Sequence, residues 1–143
     1  MKLSSRGHYG LQAMVYLAKL DGNQPVPLRK IANNEHIPEQ FLEQIFVDLR
    51  RAGLIKSVRG AKGGYFLANQ PEKIIVGDIV RVLEGSTNII DCVEDNDGNC
   101  CNKTDDCTTK IVWDKVRESM ISVLDGIHLA DLAVSGKAMI DSL

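Results

Sequence analysis

All four cysteines of this chain fall within one acidic stretch, from Asp91 to Cys107. The stretch is rich in Asn and Asp and has no apolar pattern that could bury a core, so hydrophobic burial alone would leave it disordered. Clustered thiolates can hold such a segment by binding a metal, because metal binding supplies the free energy that burial does not. The stretch therefore predicts a ligand-held sensor loop, whose state the rest of the chain reports.

Length and hydropathy limit the chain to one domain, or to one small domain with an appendage. It has 143 residues and an ordinary apolar fraction of 44%. It has no run of about 18 apolar residues that could span a membrane, and no apolar signal region near its start. We therefore expect a cytoplasmic protein with no membrane partner. Structural disulfides are rare in the cytosol, so the grouped cysteines are expected to be metal ligands or redox thiols.

Charge is divided unevenly between the two halves of the sequence. Residues 1–68 hold ten Lys or Arg and five Asp or Glu, a net charge of +5. Residues 69–143 hold seven and fourteen, a net charge of −7, although the whole chain carries only −2. The basic half is the candidate for contact with a polyanion such as nucleic acid.

Three patterns of apolar residues at helical spacing precede residue 53. They run from Leu11 to Ala18, from Leu28 to Ala32 and from Phe41 to Leu49. Residues suited to helix ends flank them: Ser4 and Ser5 as caps of the first helix, Pro38 at the first position of the third, and Gly53 after it. Three short helices are therefore predicted.

A hairpin and a fourth helix are predicted next. Residues 54–58 and 65–68 are β-branched or aromatic runs, and the basic, glycine-rich segment 59–64 lies between them. Ile75 to Leu83 has helical spacing, and Gly85 ends it. The hairpin therefore has Arg59 and Lys62 at a flexible tip.

The longest helical pattern follows the cysteines. Apolar residues at spacings of three and four run from Val112 to Ile127, and the pattern ends near residues 125–128. The pattern therefore predicts one long amphipathic helix.

Three helices followed by a hairpin are the order of a winged helix-turn-helix, so the predicted fold is mainly α with a small β wing. Polar residues near the start of the third helix lie off its apolar stripe, where Gln can pair with adenine and Glu with the amino group of cytosine. An arginine at a wing tip can enter a minor groove, a lysine can contact phosphate, and a helix N-terminus can bind phosphate. The predicted DNA-binding residues are Ser4, Arg6, Gln40, Glu43, Gln44, Arg51, Arg59 and Lys62. Taken singly, each of these features is also what a solvated helix face or an ordinary hairpin would have.

Several segments resemble the IscR-type family of bacterial transcription regulators. The likeness is carried by the opening residues 1–10, by Phe41-Leu42-Glu43-Gln44-Ile45, by the wing segment from Val58 to Ala68, and by residues 76–80 and 83–85. It covers about residues 1–85 closely, and the cysteine loop and long helix in pattern. The resemblance implies homodimers that read roughly palindromic double-stranded DNA, with the recognition helices in adjacent major grooves and the long helix crossing the dimer interface. The apolar stripe from Val112 to Ile127 is what such an interface needs, and packing within its own chain is the alternative.

Family members that sense iron–sulfur clusters carry three cysteines between the fourth helix and the long helix. Here Cys92, Cys101 and Cys107 resemble those three, with eight and then five intervening residues, and Cys100 is the alternative second ligand. Thiolates suit iron–sulfur centres and zinc, but the C-x2-C pairs of a structural zinc site are absent from the sequence. The resemblance implies a cluster of the 2Fe-2S type, with 4Fe-4S as the alternative. A zinc site, a thiol switch or an idle loop are the other interpretations.

The fourth ligand departs from the family pattern. Cluster-binding relatives often have His three residues after the last cysteine, where this chain has Lys110, a poor ligand at neutral pH. Other relatives use a residue at the start of the first helix of the partner subunit, and that position here is His8. His8 is therefore the predicted fourth ligand, with Cys100 as its rival. A contact between His8 and DNA phosphate is the alternative.

The sequence thus predicts a winged helix-turn-helix in residues 1–86, a cluster-binding loop in 87–108, and a dimerisation helix and tail in 109–143. The predicted function is an iron–sulfur-cluster-sensing regulator, mostly a repressor, of cluster-assembly or sulfur-metabolism genes. The alternative is a regulator of the same fold without a cluster, controlled by a small molecule, a partner enzyme or thiol oxidation, of the cysteine-metabolism or nitric-oxide type. An enzyme is not expected, because the sequence shows neither a Cys/His nucleophile motif nor H-E-x-x-H.

Overall fold

The computed structural model describes residues 3–20, 24–85 and 108–134, and within them the chain is mainly helical. The elements in order are α1 (Ser5–Lys19), α2 (Leu28–Glu35), α3 (Glu39–Arg51), β1 (Ile55–Val58), β2 (Gly64–Leu67), a 3-10 turn (Pro71–Lys73), α4 (Val76–Glu84) and α5 (Lys110–Gly126). The predicted fold class, mainly α with a two-stranded wing, is confirmed. All four cysteines lie outside the described residues, so the predictions for the cysteine loop stay predictions.

The helix ends follow the local chemistry that the sequence predicted, with small shifts. Ser4 is the N-cap of α1, and its hydroxyl oxygen accepts a hydrogen bond from the backbone N–H of Gly7 at 3.3 Å. Pro38 directly precedes α3, one position before the predicted one, so that Glu39 begins the helix. Gly53 follows α3 with φ of +78°, a left-handed conformation that glycine adopts at low cost.

The wing is a two-stranded antiparallel hairpin with a third segment bonded to its edge. Ile55 pairs with Leu67 and Val58 with Gly64. Val26, in the connection before α2, exchanges two backbone hydrogen bonds with Tyr65 at 2.8 and 2.9 Å. A side chain at Gly64 would collide with the backbone of Val26, so glycine at this position permits the close approach.

The core lies where α1, α2, α3 and α4 meet the inner face of the wing. Each of these elements contributes to its largest fully buried side chains, and Ile74 and Leu129 join them from the segments before α4 and after α5. These side chains are Met14, Ile31, Leu42, Ile45, Phe46, Leu49, Ile55, Ile74, Ile79 and Leu129. The ring of Phe46 packs edge-on against Tyr65, with the ring centres 4.9 Å apart. This packing joins α3 to the wing as one body.

Two glycines allow helices to pack closely around α4. A Cβ at Gly10 of α1 would lie 2.0 Å from a methyl group of Leu83, and a Cβ at Gly77 would lie 1.9 Å from a carboxylate oxygen of Asp125 at the end of α5. The chain after α5 returns to the residues before α4 through a β-bridge between Ile75 and His128. No described helix is long and apolar enough to cross a membrane.

Candidate DNA-binding surface and cofactor ligands

The predicted recognition helix, α3, presents a polar face to solvent and a fully apolar face to the core. Leu42, Ile45, Phe46 and Leu49 have no exposed surface. Gln40, Glu43 and Gln44 are exposed, and within the described residues no side-chain hydrogen bond or ion pair holds them. A rigidly packed helix with free amide and carboxylate groups is the arrangement that reading of base edges requires.

The wing carries basic side chains beside the recognition helix. Arg59 and Lys62 are exposed in the turn between β1 and β2, where Gly60 has φ of +112°. Arg50, in the last turn of α3, donates a hydrogen bond to the hydroxyl of Ser57 on β1 at 3.4 Å. Arg51 is exposed beside it. The predicted wing residues and the end of α3 therefore belong to one basic surface, although their contact with DNA remains a prediction.

The N-terminus of α1 is occupied by a carboxylate of its own chain. One carboxylate oxygen of Glu84, the last residue of α4, accepts hydrogen bonds from the backbone N–H of Ser4 at 3.0 Å and from its hydroxyl at 2.6 Å. An anion at this place is favoured by the partial positive charge of the helix N-terminus. Gly7 makes room for it, because a Cβ there would lie 2.3 Å from the same oxygen. Contact between Ser4 and a DNA phosphate stays a prediction.

Arg6 is the second predicted phosphate ligand, and in this structure it is paired with a residue of the recognition helix. Its guanidinium donates a short charge-assisted hydrogen bond to the carboxylate of Asp48, and both side chains are about one-third exposed. Nothing in the local pattern indicates the pair, because its members lie 42 residues apart.

An ion pair also fastens α5 to α4. Arg81 donates hydrogen bonds to Asp125 at 2.9 Å and to Asp78 at 3.0 Å. The hydrogen bond to Asp125, and then that to Asp78, raise the pKa of Arg81 above its ordinary value. A raised pKa of a basic group gives stability that is present below the ordinary pKa and lost as the pH rises through the raised one, so this attachment does not titrate near neutral pH.

The predicted fourth cluster ligand, His8, lies on the exposed surface of α1. Its ring is tilted against Tyr9, with the ring centres 5.7 Å apart. It borders an open cleft of about 320 Å³, whose other lining residues are Leu11, Gln12, Val15, Lys19, Glu35 and Leu132. The described residues contain no group of three side chains able to hold a metal ion, and Cys92, Cys100, Cys101 and Cys107 lie outside them. Ligation by these residues therefore remains a prediction.

The long helix α5 exposes apolar side chains to solvent. Val112, Val116 and Val123 are 52%, 40% and 56% exposed, and none of the helix's residues is buried. Spacings of four and seven place the three valines on one side of the helix. Met120 and Leu124 of the predicted stripe are half-buried.

Comparison with known proteins agrees with this arrangement of helices and wing. The Rrf2 family, described as an iron-dependent transcriptional regulator, matches residues 3–135. The HTH-type transcriptional regulator CymR of Bacillus subtilis is 41% identical over 93% of this chain and 90% of its own. Its solved structure, titled as the global cysteine regulator, superposes with a TM-score of 0.76 at 39% identity and covers 93% of this chain and 96% of that chain.

Relatives named IscR match over a similar extent. The HTH-type transcriptional regulator IscR of Aliivibrio salmonicida is 37% identical over 96% of this chain and 80% of its own. The solved structure of T. potens IscR is 45% identical, covers all of this chain and 89% of that one, and has a TM-score of 0.73. The exposed recognition helix, the basic wing and these matches lead to one conclusion: the chain belongs to the Rrf2 family and is a DNA-binding transcriptional regulator.

Proposed function

We propose that this regulator senses an iron–sulfur cluster held by Cys92, Cys101, Cys107 and His8 of the partner subunit. It acts mostly as a repressor of genes for cluster assembly or sulfur metabolism. The regulator works as a homodimer on roughly palindromic operators, and the state of the cluster changes its affinity or its choice of promoter.

The chemistry of the donor set supports a cluster. Three thiolates are soft ligands that suit iron–sulfur centres, and a neutral imidazole is a good fourth ligand for iron. A mixed set of cysteine and histidine raises the reduction potential relative to four cysteines, which suits a sensor. The described part of the chain leaves the ring of His8 exposed and without a hydrogen bond, so it is available to a ligand. The donors fit 2Fe-2S, with 4Fe-4S as the alternative.

The observation that carries the proposal is that both flanks of the cysteine loop are fastened to the DNA-binding part. On one side, Glu84 ends α4 and binds the N-terminal turn of α1. On the other, Asp125 near the end of α5 binds Arg81 of α4. Ordering of the loop by a cluster would therefore act on helices that contact the recognition helix directly.

The exposed valines of α5 support the homodimer. Val112, Val116 and Val123 form an apolar strip that one chain leaves in water. A second copy, placed symmetrically, can cover that strip with its own. Dimerisation also places two recognition helices on one DNA molecule.

The experiment that tests the cluster is purification without oxygen, followed by visible absorption and by measurement of iron and sulfide. We expect a coloured protein that contains iron and sulfide in equal amounts, and we expect loss of colour in Cys92→Ser, Cys101→Ser and Cys107→Ser. Cys100→Ser is the matched control, because it removes the one cysteine that is not assigned as a ligand. His8→Ala should retain less iron and shift the absorption bands. A wild-type protein that stays colourless and iron-free after reconstitution would refute the proposal.

One alternative is favoured by a specific finding. The B. subtilis relative is titled as a cysteine regulator and is 41% identical to this chain, so a regulator controlled by a small molecule, a partner enzyme or thiol oxidation is the second candidate. The two candidates predict different results in the same assay. DNA binding that is unchanged by loss of all four cysteines, yet altered by a cysteine-derived metabolite, would favour the second candidate in its small-molecule form.

A further inference from the structure

We propose that Arg6 and Asp48 form a positioning pair that sets the orientation of the recognition helix on DNA. In this role Arg6 does not bind phosphate and Asp48 does not read a base. The proposal concerns DNA recognition alone, so it holds with or without a cluster.

The position of Asp48 on α3 is the first argument. Asp48 lies one helical turn beyond Gln44, which lies one turn beyond Gln40, so the three side chains form a single row along the helix. The first two members of that row are exposed and free, whereas Asp48 is bound to α1. The pair therefore fixes one end of the row whose other end faces the bases.

The rigidity of the Arg6 backbone is the second argument. Arg6 lies in the first turn of α1, where Ser4 caps the helix and is itself held by Glu84. Gly10, one turn later, lets α1 approach both Leu83 of α4 and Ile45 of α3 closely. The guanidinium thus reaches Asp48 from a turn that cap and packing hold in place.

Apolar packing and polar contacts constrain α3 in different ways. The apolar face of α3 holds the helix in the core, but the hydrophobic effect is not directional, so burial defines the rotation of the helix about its axis less sharply than its depth. A guanidinium–carboxylate bond at the outer edge of the helix is directional and resists that rotation. Hydrogen bonds to base edges need donor and acceptor within about 2.7–3.2 Å, so a small rotation would weaken specific binding before it weakened folding.

The charge of Asp48 makes the proposal testable, because the alternative roles of the pair predict the opposite change in DNA affinity when that charge is removed. A bare carboxylate at Asp48 would repel DNA phosphates, so if the pair did nothing else, removing that carboxylate would help or be neutral. If Arg6 were a phosphate ligand held back by Asp48, then Asp48→Asn would release it and tighten binding to all DNA. Only a positioning role predicts that loss of a negative charge from α3 weakens binding to the preferred sequence.

The test uses the full-length protein and two duplexes: one enriched by the wild-type chain from a random-sequence DNA pool, and a shuffled duplex of the same composition. We expect Asp48→Asn to weaken binding to the enriched duplex by about three- to five-fold, the size of one well-oriented surface pair, with no loss on the shuffled duplex. Arg6→Gln should have a similar effect, and the double variant should lose no more than either single variant.

Two measurements separate positioning from general effects. The slope of binding against salt concentration should be unchanged in Arg6→Gln, because loss of a phosphate contact would reduce its magnitude by about 0.9. Asp78→Asn is the matched control, since it removes a carboxylate that pairs with an arginine away from α3, and it should leave the ratio of the two affinities unchanged. Tighter binding of Asp48→Asn to both duplexes, an unchanged affinity ratio, or a reduced salt slope in Arg6→Gln would each overturn the proposal.

Discussion

The helices α3 and α5 are both amphipathic, but only α3 has its apolar face covered within the chain. The four inward residues of α3 have no exposed surface, whereas α5 has no buried residue and exposes three valines on one side. α3 packs against α1, α2, α4 and β1, and the helix that α5 packs against is α4. The difference separates a helix whose apolar face is covered within its own chain from a helix whose apolar side chains remain exposed to solvent.

The outward faces of the two helices also differ in the chemistry of their exposed side chains. The exposed side of α3 carries amide and carboxylate groups that can hydrogen-bond to base edges, while the exposed strip of α5 carries methyl groups that can bind only through burial. A single chain therefore presents one polar surface suited to DNA and one apolar surface suited to another protein. Each of the following changes tests one side of this comparison.

The largest effect is expected from Phe46→Ala in the closed part of the molecule. Phe46 is fully buried and packs against Tyr65, so its truncation leaves a cavity between α3 and the wing. We expect the free energy of unfolding to fall by about 4 kcal/mol, measured by chemical denaturation. Val58→Ala, at an exposed wing position, is the control and should change stability by less than about 0.5 kcal/mol. Similar losses in both variants would mean that α3 is not the closed element described above.

Val116→Asp on α5 should act on association and leave folding nearly unchanged. An aspartate in a buried dimer interface costs on the order of 3 kcal/mol, or about 100-fold in the dimerisation constant, while the same residue in a single chain stays in water. Sedimentation equilibrium should show monomers, and operator binding should weaken in parallel. Ser122→Asp adds the same charge to an exposed position further round the helix and should keep the dimer. A Val116→Asp protein that remains dimeric would place the interface elsewhere.

Glu84→Gln tests the contact between the end of α4 and the N-terminus of α1. The neutral amide keeps the shape of the side chain and an oxygen that can accept from Ser4, but it lacks the negative charge that strengthens these hydrogen bonds and favours the N-terminus of α1. We expect a loss of about 1 kcal/mol in stability, seen as a lower thermal midpoint. Glu72→Gln, at an exposed position in the 3-10 turn, is the control. An equal midpoint in both variants would show that the carboxylate does not stabilise the cap.

The smallest effect is expected from Glu39→Gln at the start of α3. Glu39 pairs with Arg29 at 3.6 Å, but the two side chains are largely in water. Such a pair contributes less than about 1 kcal/mol, and we expect the free energy of unfolding to change by about 0.3 kcal/mol. A loss comparable to that of Glu84→Gln would show that this exposed ion pair contributes more to stability than solvent screening predicts.

Local chemistry made most of the helices and the wing predictable from the sequence. Ser4, Pro38 and Gly53 marked helix ends to within a residue, because capping and backbone restrictions act between near neighbours. The predicted helix beginning at Ile75 starts at Val76, and the second wing strand begins at Gly64, one residue before the predicted Tyr65. The helical period and the period of two in strands carry this information directly.

Contacts between distant residues were not predictable in the same way. Arg6 and Asp48 are 42 residues apart, and Ser4 and Glu84 are 80 apart, so no spacing rule relates them. The edge contact of Val26 with Tyr65 was missed because one bridged residue leaves no alternating pattern. The eight predicted DNA-binding residues and the four predicted cluster ligands were nominated from chemistry and resemblance. Their roles depend on binding experiments, since a residue type indicates what a group can bind and not what it meets.

The bridge between Ile75 and His128 has a consequence for how such regulators diversify. Main-chain hydrogen bonds of Val76 to Ile127 and of Leu129 to Ile74, at 2.9 and 2.8 Å, close the chain into a ring that contains the whole segment from α4 to α5. Lengthening a loop inside a ring that is already closed costs little, about 0.6 kcal/mol for each doubling. We therefore expect that the segment between Gly85 and Thr108 can be exchanged for one of another length and chemistry while the four-helix core and the wing keep their fold.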